Sequence, residues 1–195
     1  MLTFDAVEHR YAWNGAPVPN VTRALDLLTD YSKIPAEVLE LARQKGVAVH
    51  RMVELHAKND LDEARLPAWM QPVIVQWKKF VFETGFKVLE SERRVYHKRY
   101  RYAGTLDLFG TIHTGTAFVD VKRSFLAGRV IGMQIAAYED AYYSEEGITR
   151  GKARRFALRL TEHSPYRVEE YDSKDDLYDY LTCLGFYRLK EKLQK

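Results

Sequence analysis

Apolar and polar residues mix in two short extended stretches at the start of the chain, over residues 3–7 and 9–13. This pattern predicts two strands, which the turn signal Asn14-Gly15 follows. Farther along, apolar residues recur at the spacing of a helix face. They predict a short helix with Thr22 as its N-cap, a longer helix over 35–56 that begins at Pro35, and a third over 68–83 that ends at Gly85.

After Gly85 the pattern changes to one that predicts a sheet. Residues 86–97, 102–112 and 116–124 are typical of three consecutive strands, and a short loop at 113–115 joins the last two. The remaining elements are a helix over 128–144, a hairpin over 152–161 and 166–171, and a terminal helix capped by Asp172 or Ser173.

This order of elements predicts an α/β or α+β fold in which helices flank a mixed central β-sheet. A length of 195 residues suits a single domain. We expect residues 1–85 to form an N-terminal hairpin and a helical region, and residues 86–195 to form the sheet core and the C-terminal helix.

Composition excludes several classes of protein. With 46% apolar and 29% charged residues, the chain has the composition of a globular domain. The single cysteine, Cys183, excludes an internal disulfide, a cysteine-ligated zinc site and a four-cysteine iron–sulfur cluster within the chain. No apolar run is long enough for a membrane helix and no signal peptide pattern is present, so we expect a cytoplasmic location. The net charge of +3 does not by itself mark a nucleic-acid-binding protein.

Two acids and a lysine stand on neighbouring predicted strands. Asp120 and Lys122 alternate with valines, so both project from one face of their strand, and Asp107 lies on the strand before. If a hairpin loop of two or four residues joins the two strands, the residue numbers of each opposed pair add up to 227 or 229. Asp107 then lies opposite Asp120 or Lys122. The other face would then carry Leu106, Leu108, Val119 and Val121. Because two converging carboxylates repel each other, the pattern indicates a site for a hard divalent cation such as Mg²⁺ or Mn²⁺.

Two predicted helices add polar pairs at i and i+4 spacing. Gln134 and Tyr138 share one helix face, and His50 and Glu54 share another, one turn after Gly46. Taken singly, each pair also fits ordinary helix surface or a partly buried histidine.

Four motifs in order resemble the PD-(D/E)XK nuclease superfamily, and specifically its RecB-like branch. They are Gly46-x-x-x-His50, Gly104-Thr105-Leu106-Asp107, Asp120-x-Lys122 and Gln134-x-x-x-Tyr138, which together span residues 46–138, about half of the chain. The segment 9–22 is also similar to the opening of phage-type members and of mitochondrial genome maintenance exonucleases. The resemblance implies a restriction-endonuclease-like core, and the absent cysteines exclude the subgroup with an iron–sulfur cluster.

The resemblance also implies metal-dependent hydrolysis of DNA. Asp107, Asp120, His50 and the backbone carbonyl of Val121 would bind Mg²⁺ or Mn²⁺. Lys122 would orient or deprotonate the attacking water or neutralise developing charge, and Gln134 and Tyr138 would position the water, Lys122 or the nucleic-acid backbone. Glu92 and Glu54 could contact these ligands without binding the ion themselves, or Glu92 could hold a second ion. The alternative is that Glu92 is a solvated strand acid beside two arginines.

Clustered basic residues indicate where DNA phosphates would lie. We expect phosphate contacts from Arg93, Arg94, Lys98, Arg99, Arg101, Arg123 and Arg129, with a third group at Arg150, Lys152, Arg154 and Arg155. Tyr96, Tyr100 and Tyr102 could stack on unpaired bases. The alternative is that these clusters are only solvated strand ends and turns.

Three functions remain open at this stage. The first is an exonuclease acting on ends of single- or double-stranded DNA, in phage recombination, replication or DNA degradation, beside recombination or replication proteins. The second is a structure-specific or restriction-like endonuclease of the same superfamily. The third is a nucleic-acid-binding module without catalysis.

Overall fold

A computed structural model describes residues 1–123, 128–149 and 151–194. Its N-terminal part is a three-stranded antiparallel sheet of β1 (Leu2–Asp5), β2 (Arg10–Trp13) and β3 (Ala16–Val18), in the order β1-β2-β3. The first two strands and the turn after them were predicted, whereas β3 was not. Asn14 and Gly15 have positive φ values of 49° and 80°, which explains why these two residue types occupy the turn.

Three helices follow the N-terminal sheet: α1 (Val21–Leu25), α2 (Ala36–Ala57) and α3 (Gln71–Thr84). Asn20, not Thr22, caps α1, because the Asn20 side chain accepts hydrogen bonds from the backbone nitrogen and hydroxyl of Thr22. The predicted N-cap was therefore wrong by two residues. Helix α3 ends as predicted at Gly85, which has the left-handed conformation that favours glycine.

The central sheet has five strands in the order β4-β5-β6-β7-β8. They are β4 (Lys87–Tyr96), β5 (Ala103–Ile112), β6 (Gly115–Lys122), β7 (Arg154–Arg159) and β8 (Arg167–Glu170). Strands β6 and β7 pair in parallel and the other neighbours pair antiparallel, so the sheet is mixed. Helix α4 (Arg129–Glu146) links the parallel pair, and α5 (Asp176–Leu193) ends the chain. The predicted fold class is confirmed.

Some predicted boundaries differ from the structure. Helix α5 begins at Asp176, so neither Asp172 nor Ser173 caps it; the Ser173 hydroxyl instead accepts a hydrogen bond from the Asp175 nitrogen. Ser124, which we expected to end the strand β6, lies outside the described residues. Within the described ranges, no helix has both the length and the apolarity needed to cross a membrane.

Apolar side chains form two large clusters, one against helices α1, α4 and α5 and the other against helices α2 and α3. Helices α1, α4 and α5 contribute to the first cluster, which includes Val21, Leu25, Leu106, Phe118, Ile131, Ile135, Tyr180 and Leu184. Helices α2 and α3 contribute to the second, which includes Val49, Met52, Val53, Ile74, Trp77, Phe80, Leu108, Val119, Val121 and Leu158. Consecutive residues of β6 belong to opposite clusters, so the central sheet lies between the two layers of helices.

Candidate active site

The two acids meet where strands β5 and β6 stop pairing. The last paired residues are Leu108 and Val119, whose numbers sum to 227, so the predicted register is confirmed. Asp107 lies one residue beyond this pair, and its Oδ2 accepts a 2.7 Å hydrogen bond from the backbone nitrogen of Val121. The carboxylate thus takes the place of a ladder partner at the point where the strands separate.

Strand β4 has an irregular backbone beside Asp107. The pairs Ser91–Leu108 and Arg93–Leu106 place Glu92 next to Asp107 across the sheet. Glu92 has a φ of 49°, a left-handed conformation that costs a residue other than glycine about 1–3 kcal/mol and that is concentrated at functional sites. The sheet does not keep a regular pleat here.

This irregularity corrects one expectation about β5. We expected Leu106 and Leu108 on the same face, but Leu106 packs in the cluster with α4 and Leu108 in the cluster with α2. The prediction assumed strict alternation, and alternation fails at the residue between them, Asp107.

His50 of α2 joins the two acids. Its Nε2 lies 2.9 Å from the carbonyl oxygen of Val121, and its Nδ1 lies 3.4 Å from Glu92 Oε1 and 3.5 Å from Asp107 Oδ1. One ligand atom from each of His50, Glu92 and Asp107 lies within 4.8 Å of the other two. Two carboxylates and an imidazole at this separation fit a divalent cation, for which the oxygen ligands favour Mg²⁺ or Mn²⁺.

Asp120 and Lys122 form the other half of the site. Lys122 Nζ lies 2.6 Å from Asp120 Oδ2, and the Asp120 carboxylate is almost completely buried. On α4, the Gln134 side chain donates to Asp120 Oδ1 at 3.3 Å and to the Tyr138 hydroxyl at 3.1 Å. Gln134 thereby ties the acid to Tyr138, and the polar pair predicted on this helix does face the site.

Burial and charge shift the pKa values of the whole group. Burial alone would lower the pKa of His50, but the carboxylates of Asp107 and Glu92 outweigh it and raise this pKa to about 9. Burial raises the pKa of Asp107, and it raises that of Asp120 to about 6 in spite of the adjacent ammonium. The pKa of Lys122 is also raised, because Asp120 and Asp107 outweigh the effect of burial. The imidazolium and the ammonium therefore offset part of the negative charge of the carboxylates at neutral pH.

Several residues that sequence reasoning did not select also line the site. The Tyr11 hydroxyl is 2.7 Å from the Thr105 hydroxyl, and Asn20 and Thr22 lie in the same cavity as Asp107. All but Thr105 fall in the segment 9–22, whose similarity to the opening of phage-type exonucleases was the signal that could have indicated them. Glu54 also lines this cavity, but its carboxylate is bound by Arg51 and Lys58.

The structure separates the basic residues expected to contact DNA. Arg94 lies in the cavity of Asp107, and Arg123 lines a second cavity at the site while pairing with Glu162. Arg93 points away from Arg94 and pairs with Glu90 and Glu146, and Arg129 pairs with Asp179. A separate groove is lined by Lys98, Arg99 and Arg101 beside Trp13. The ring of Trp13 stacks on that of Tyr96, with 4.2 Å between the ring centroids.

The third basic group is also divided. Arg154 pairs with Glu170, and the buried Arg155 pairs with Asp176. Arg150 lies outside the described residues. Tyr96 and Tyr102 are buried, so base stacking on their rings would require the surrounding side chains to move.

Comparison with known proteins gives a weak likeness in fold. No family model matches the chain, and no curated protein matches it. Among solved structures, the chain is similar to an alkaline exonuclease (LHK-Exo) from Laribacter hongkongensis, with a TM-score of 0.42 and 12% identity over 90% of this chain and 88% of that one. The structure of LHK-Exo in complex with dAMP gives the same TM-score and identity over 91% and 89%. At this level of likeness, function has to be inferred from the site residues.

Proposed function

We propose that this protein is a divalent-metal-dependent nuclease that hydrolyses phosphodiester bonds of DNA, and that it acts as an exonuclease. The observation that carries the proposal is the convergence of His50, Glu92 and Asp107 on one point, with Asp120 and Lys122 beside it. The resemblance of the motifs supports Mg²⁺ or Mn²⁺ as the ion and phage recombination, replication or DNA degradation as the setting.

We assign His50, Glu92 and Asp107 as the residues that hold the ion. Asp120, which the resemblance implied as a further ligand, lies beside them and pairs with Lys122. When bound, a divalent ion supplies Lewis-acid stabilisation of the phosphoryl oxygens. Glu92 thus becomes a ligand of this ion in the proposal, whereas the resemblance implied that it supports the other ligands or holds a second ion.

The hydrogen bond of His50 decides which of its nitrogens is available. If Nε2–H donates to the Val121 carbonyl, the neutral ring presents the lone pair of Nδ1 to Glu92 and Asp107. The carbonyl of Val121 then orients His50, whereas the resemblance implied that this carbonyl is itself a ligand. Asparagine places its amide oxygen near the position of Nδ1 and glutamine places it near Nε2, so His50→Asn should retain more Mn²⁺ affinity in calorimetric titration than His50→Gln. The reverse order would assign Nε2 and the carbonyl to the ion.

Lys122 has the charge required to stabilise a phosphoryl transition state. Its Nζ lies 2.6 Å from Asp120 Oδ2, where it would stabilise developing negative charge or orient or deprotonate the attacking water. Gln134 donates to Asp120 Oδ1, while Lys122 pairs with Oδ2 of the same carboxylate. Gln134 therefore keeps Asp120 oriented toward Lys122.

The test is cleavage of end-labelled DNA by the wild type and by Asp107→Asn. We expect Mg²⁺- or Mn²⁺-dependent release of label, abolished by EDTA and reduced roughly 100-fold or more in Asp107→Asn, because the ion loses a charged ligand. Asp60→Asn, a change at an exposed acid beyond the C-terminal end of α2, is the matched control and should match the wild type. Activity that survives EDTA, or that is equal in Asp107→Asn, would refute the proposal.

A second substrate separates exonuclease from endonuclease. An exonuclease needs an end, so it should degrade linear DNA and leave covalently closed circular DNA intact. Cleavage of the circle would assign an endonuclease instead. DNA binding without any cleavage would indicate a module that has lost catalysis.

A further inference from the structure

A second groove lies outside the candidate active site, beside the loop that joins β4 to β5. We call it the hairpin groove; it has a volume of about 700 Å³, and its lining includes Trp13, Tyr96, Lys98, Arg99, Arg101 and Arg188. Tyr96 pairs with Ala103, which lies four residues before Asp107 on β5. At about 3.3 Å per residue, the groove is therefore roughly 13 Å from the candidate catalytic groups.

Hydrogen bonds hold the loop beside this groove in one conformation. The buried His97 lies with Nε2 2.9 Å from Asp140 Oδ2, and its Nδ1 accepts a 3.0 Å hydrogen bond from the backbone nitrogen of Tyr100. From helix α5, Arg188 donates to the backbone carbonyls of Tyr100 and Arg101. The side chains of the loop thus project into the groove from a fixed backbone.

Arg101 has a strained backbone within this loop. Its φ is 48°, a left-handed conformation that costs a residue other than glycine about 1–3 kcal/mol. The same conformation occurs at Glu92, in the candidate active site. Since such strain is concentrated at functional sites, the conformation of Arg101 points to a function for the groove itself.

The basic residues of the hairpin groove are not neutralised by acids. Among the residues that the structure describes, Lys98, Arg99, Arg101 and Arg188 form no ion pair with a carboxylate. Arg93 of β4 differs, because Glu90 and Glu146 bind its guanidinium. Unpaired cations on one wall of a groove suit the phosphates of a nucleic-acid backbone.

Trp13 supplies a flat aromatic surface next to these cations. One face of its ring stacks on the buried ring of Tyr96, with 4.2 Å between the centroids and 7° between the planes. Trp13 itself is only half-buried and lines the groove. An indole ring fixed from behind and open in front suits stacking of a nucleobase, which an acidic peptide would not need.

We propose that the hairpin groove is a second nucleic-acid-binding site, which binds a base on Trp13 and the adjoining phosphates at Arg99 and Arg101. The inference rests on the proposed nuclease function and adds a point outside the catalytic cleft at which the enzyme holds its substrate. A separation of about 13 Å corresponds to roughly four phosphates at 3.4 Å along one strand. Only DNA longer than this can occupy the groove and the catalytic site together.

The first test removes two charges with the double variant Arg99→Gln/Arg101→Gln. The matched control is Lys87→Gln/Lys174→Gln, which removes the same charge from two exposed lysines, one at the other end of β4 and one after β8. Binding of a fluorescent single-stranded 20-mer is measured by anisotropy in EDTA. We expect the arginine variant to weaken binding at least tenfold and to lower the slope of log K against log salt by about 1.4, because each phosphate contact to a single strand contributes about 0.7. The lysine variant should match the wild type.

Substrate length separates the hairpin groove from the catalytic site. A trinucleotide is too short to reach both, so its cleavage does not use the groove. With Mn²⁺ present, Arg99→Gln/Arg101→Gln should raise the KM of the 20-mer at least five times more than that of the trinucleotide. An equal rise for both lengths would place the two arginines at the catalytic site and overturn the proposal.

The second test concerns the base. Trp13→Leu should weaken binding of the 20-mer roughly 5- to 100-fold, whereas Trp13→Phe, which keeps an aromatic ring, should retain most of the affinity. Stacking on Trp13 should also quench tryptophan fluorescence. The chain has three tryptophans, so we expect Trp13→Phe to remove at least half of the quenching that the 20-mer causes in the wild type. Circular dichroism checks that each variant is folded.

The outcomes distinguish the two proposals. A wild type that binds the 20-mer through Arg99 and Arg101 but cleaves no DNA with Mn²⁺ would refute the nuclease function alone. A wild type that cleaves DNA, together with a folded Arg99→Gln/Arg101→Gln that binds the 20-mer as tightly as the lysine control, would overturn only the second site. A poly-glutamate peptide that displaces the 20-mer at equal concentration would assign the groove to an acidic protein segment and overturn it as well.

Discussion

Gly104 of strand β5 is the residue whose substitution tests the geometry of the site most directly. A Cβ built on Gly104 lies 2.4 Å from Tyr138 Cε1 and 3.1 Å from both Tyr138 Cδ1 and a methyl carbon of Val21. Carbon atoms in contact are normally about 3.5–4.0 Å apart, so Gly104→Ala forces the Tyr138 ring to move by roughly 1 Å. Tyr138 is buried against α1 and the sheet, so little space is available for that movement.

The expected cost follows from these contacts. Overpacking a core typically costs 1–3 kcal/mol, and the close approach to Tyr138 places Gly104→Ala in the upper half of that range. Alanine recovers about 0.5–1 kcal/mol of backbone entropy, which leaves a net destabilisation of about 1–2.5 kcal/mol. For a chain of this size, that lowers Tm by roughly 2–10 °C. The displaced hydroxyl of Tyr138 also loses its hydrogen bond from Gln134, the residue that donates to Asp120.

A double-mutant cycle isolates the clash. Urea denaturation is measured for the wild type, Gly104→Ala, Tyr138→Ala and the double variant. Tyr138→Ala removes the ring, so the new methyl group finds space and the double variant should be more stable than additivity predicts, by about 1–3 kcal/mol. Additivity within about 0.5 kcal/mol would refute the packing of Tyr138 on Gly104.

Gly110, on the same strand, is the matched control for this cycle. Its Cβ would lie 2.2 Å from the carbonyl oxygen of Lys87, so Gly110→Ala also clashes, but with backbone instead of Tyr138. It should destabilise the protein without any rescue by Tyr138→Ala.

Three further changes test other parts of the molecule. Burial opposes ionisation of Glu162, but hydrogen bonds from Lys45 and Arg123 outweigh it and lower the pKa of Glu162 to about 2. The resulting stability is present above pH 4.5 and is lost as the pH falls toward 2. In urea titrations, Glu162→Gln should therefore be roughly 1–2 kcal/mol less stable than the wild type at pH 7, and it should lose less stability on acidification. Parallel profiles of stability against pH for the two proteins would contradict this. Asn20→Ala should cost about 1 kcal/mol in the same assay by removing the cap of α1, and a value near zero would mean that the cap is not needed. Arg94→Gln should lower the slope of log K against log salt for DNA binding by about 1, whereas Arg93→Gln, at a residue already paired with acids, should not; equal slopes would argue against the phosphate contact.

The convergence of Asp107, Asp120 and Lys122 could be predicted because a hairpin loop fixes the register of the two strands that it joins. The strands meet across His113 and Thr114, and either expected sum, 227 or 229, places Asp107 next to Asp120 and Lys122 without any knowledge of the rest of the fold; the structure has 227. The long helix over 35–56 was predictable for a similar reason, since a helix face of this length is determined by local spacing alone.

The position of Glu92 could not be predicted in this way. Its place beside His50 depends on a left-handed residue in the middle of a strand and on a register shift between Val88 and Glu90. Neither feature has a local signal, because no glycine or asparagine marks it. The prediction that Arg93 and Arg94 both contact DNA could not be tested against their directions, because a count of charges does not show where a side chain points. Arg93 points toward acids on one side of the sheet, and Arg94 points toward the site on the other.

The separation of β5 from β6 explains why the acids and the fold depend on each other. Beyond Leu108 and Val119 the ladder ends, so the backbone nitrogen and oxygen of Val121 have no backbone partner on β5. Asp107 accepts from the nitrogen and His50 binds the oxygen, so two candidate metal ligands supply the hydrogen bonds that the strand would otherwise lack. A buried backbone group without a partner costs about 1–3 kcal/mol. The geometry that brings the ligands together is therefore stabilised by the same hydrogen bonds that complete the edge of β6, and substitution of either ligand affects stability as well as metal binding.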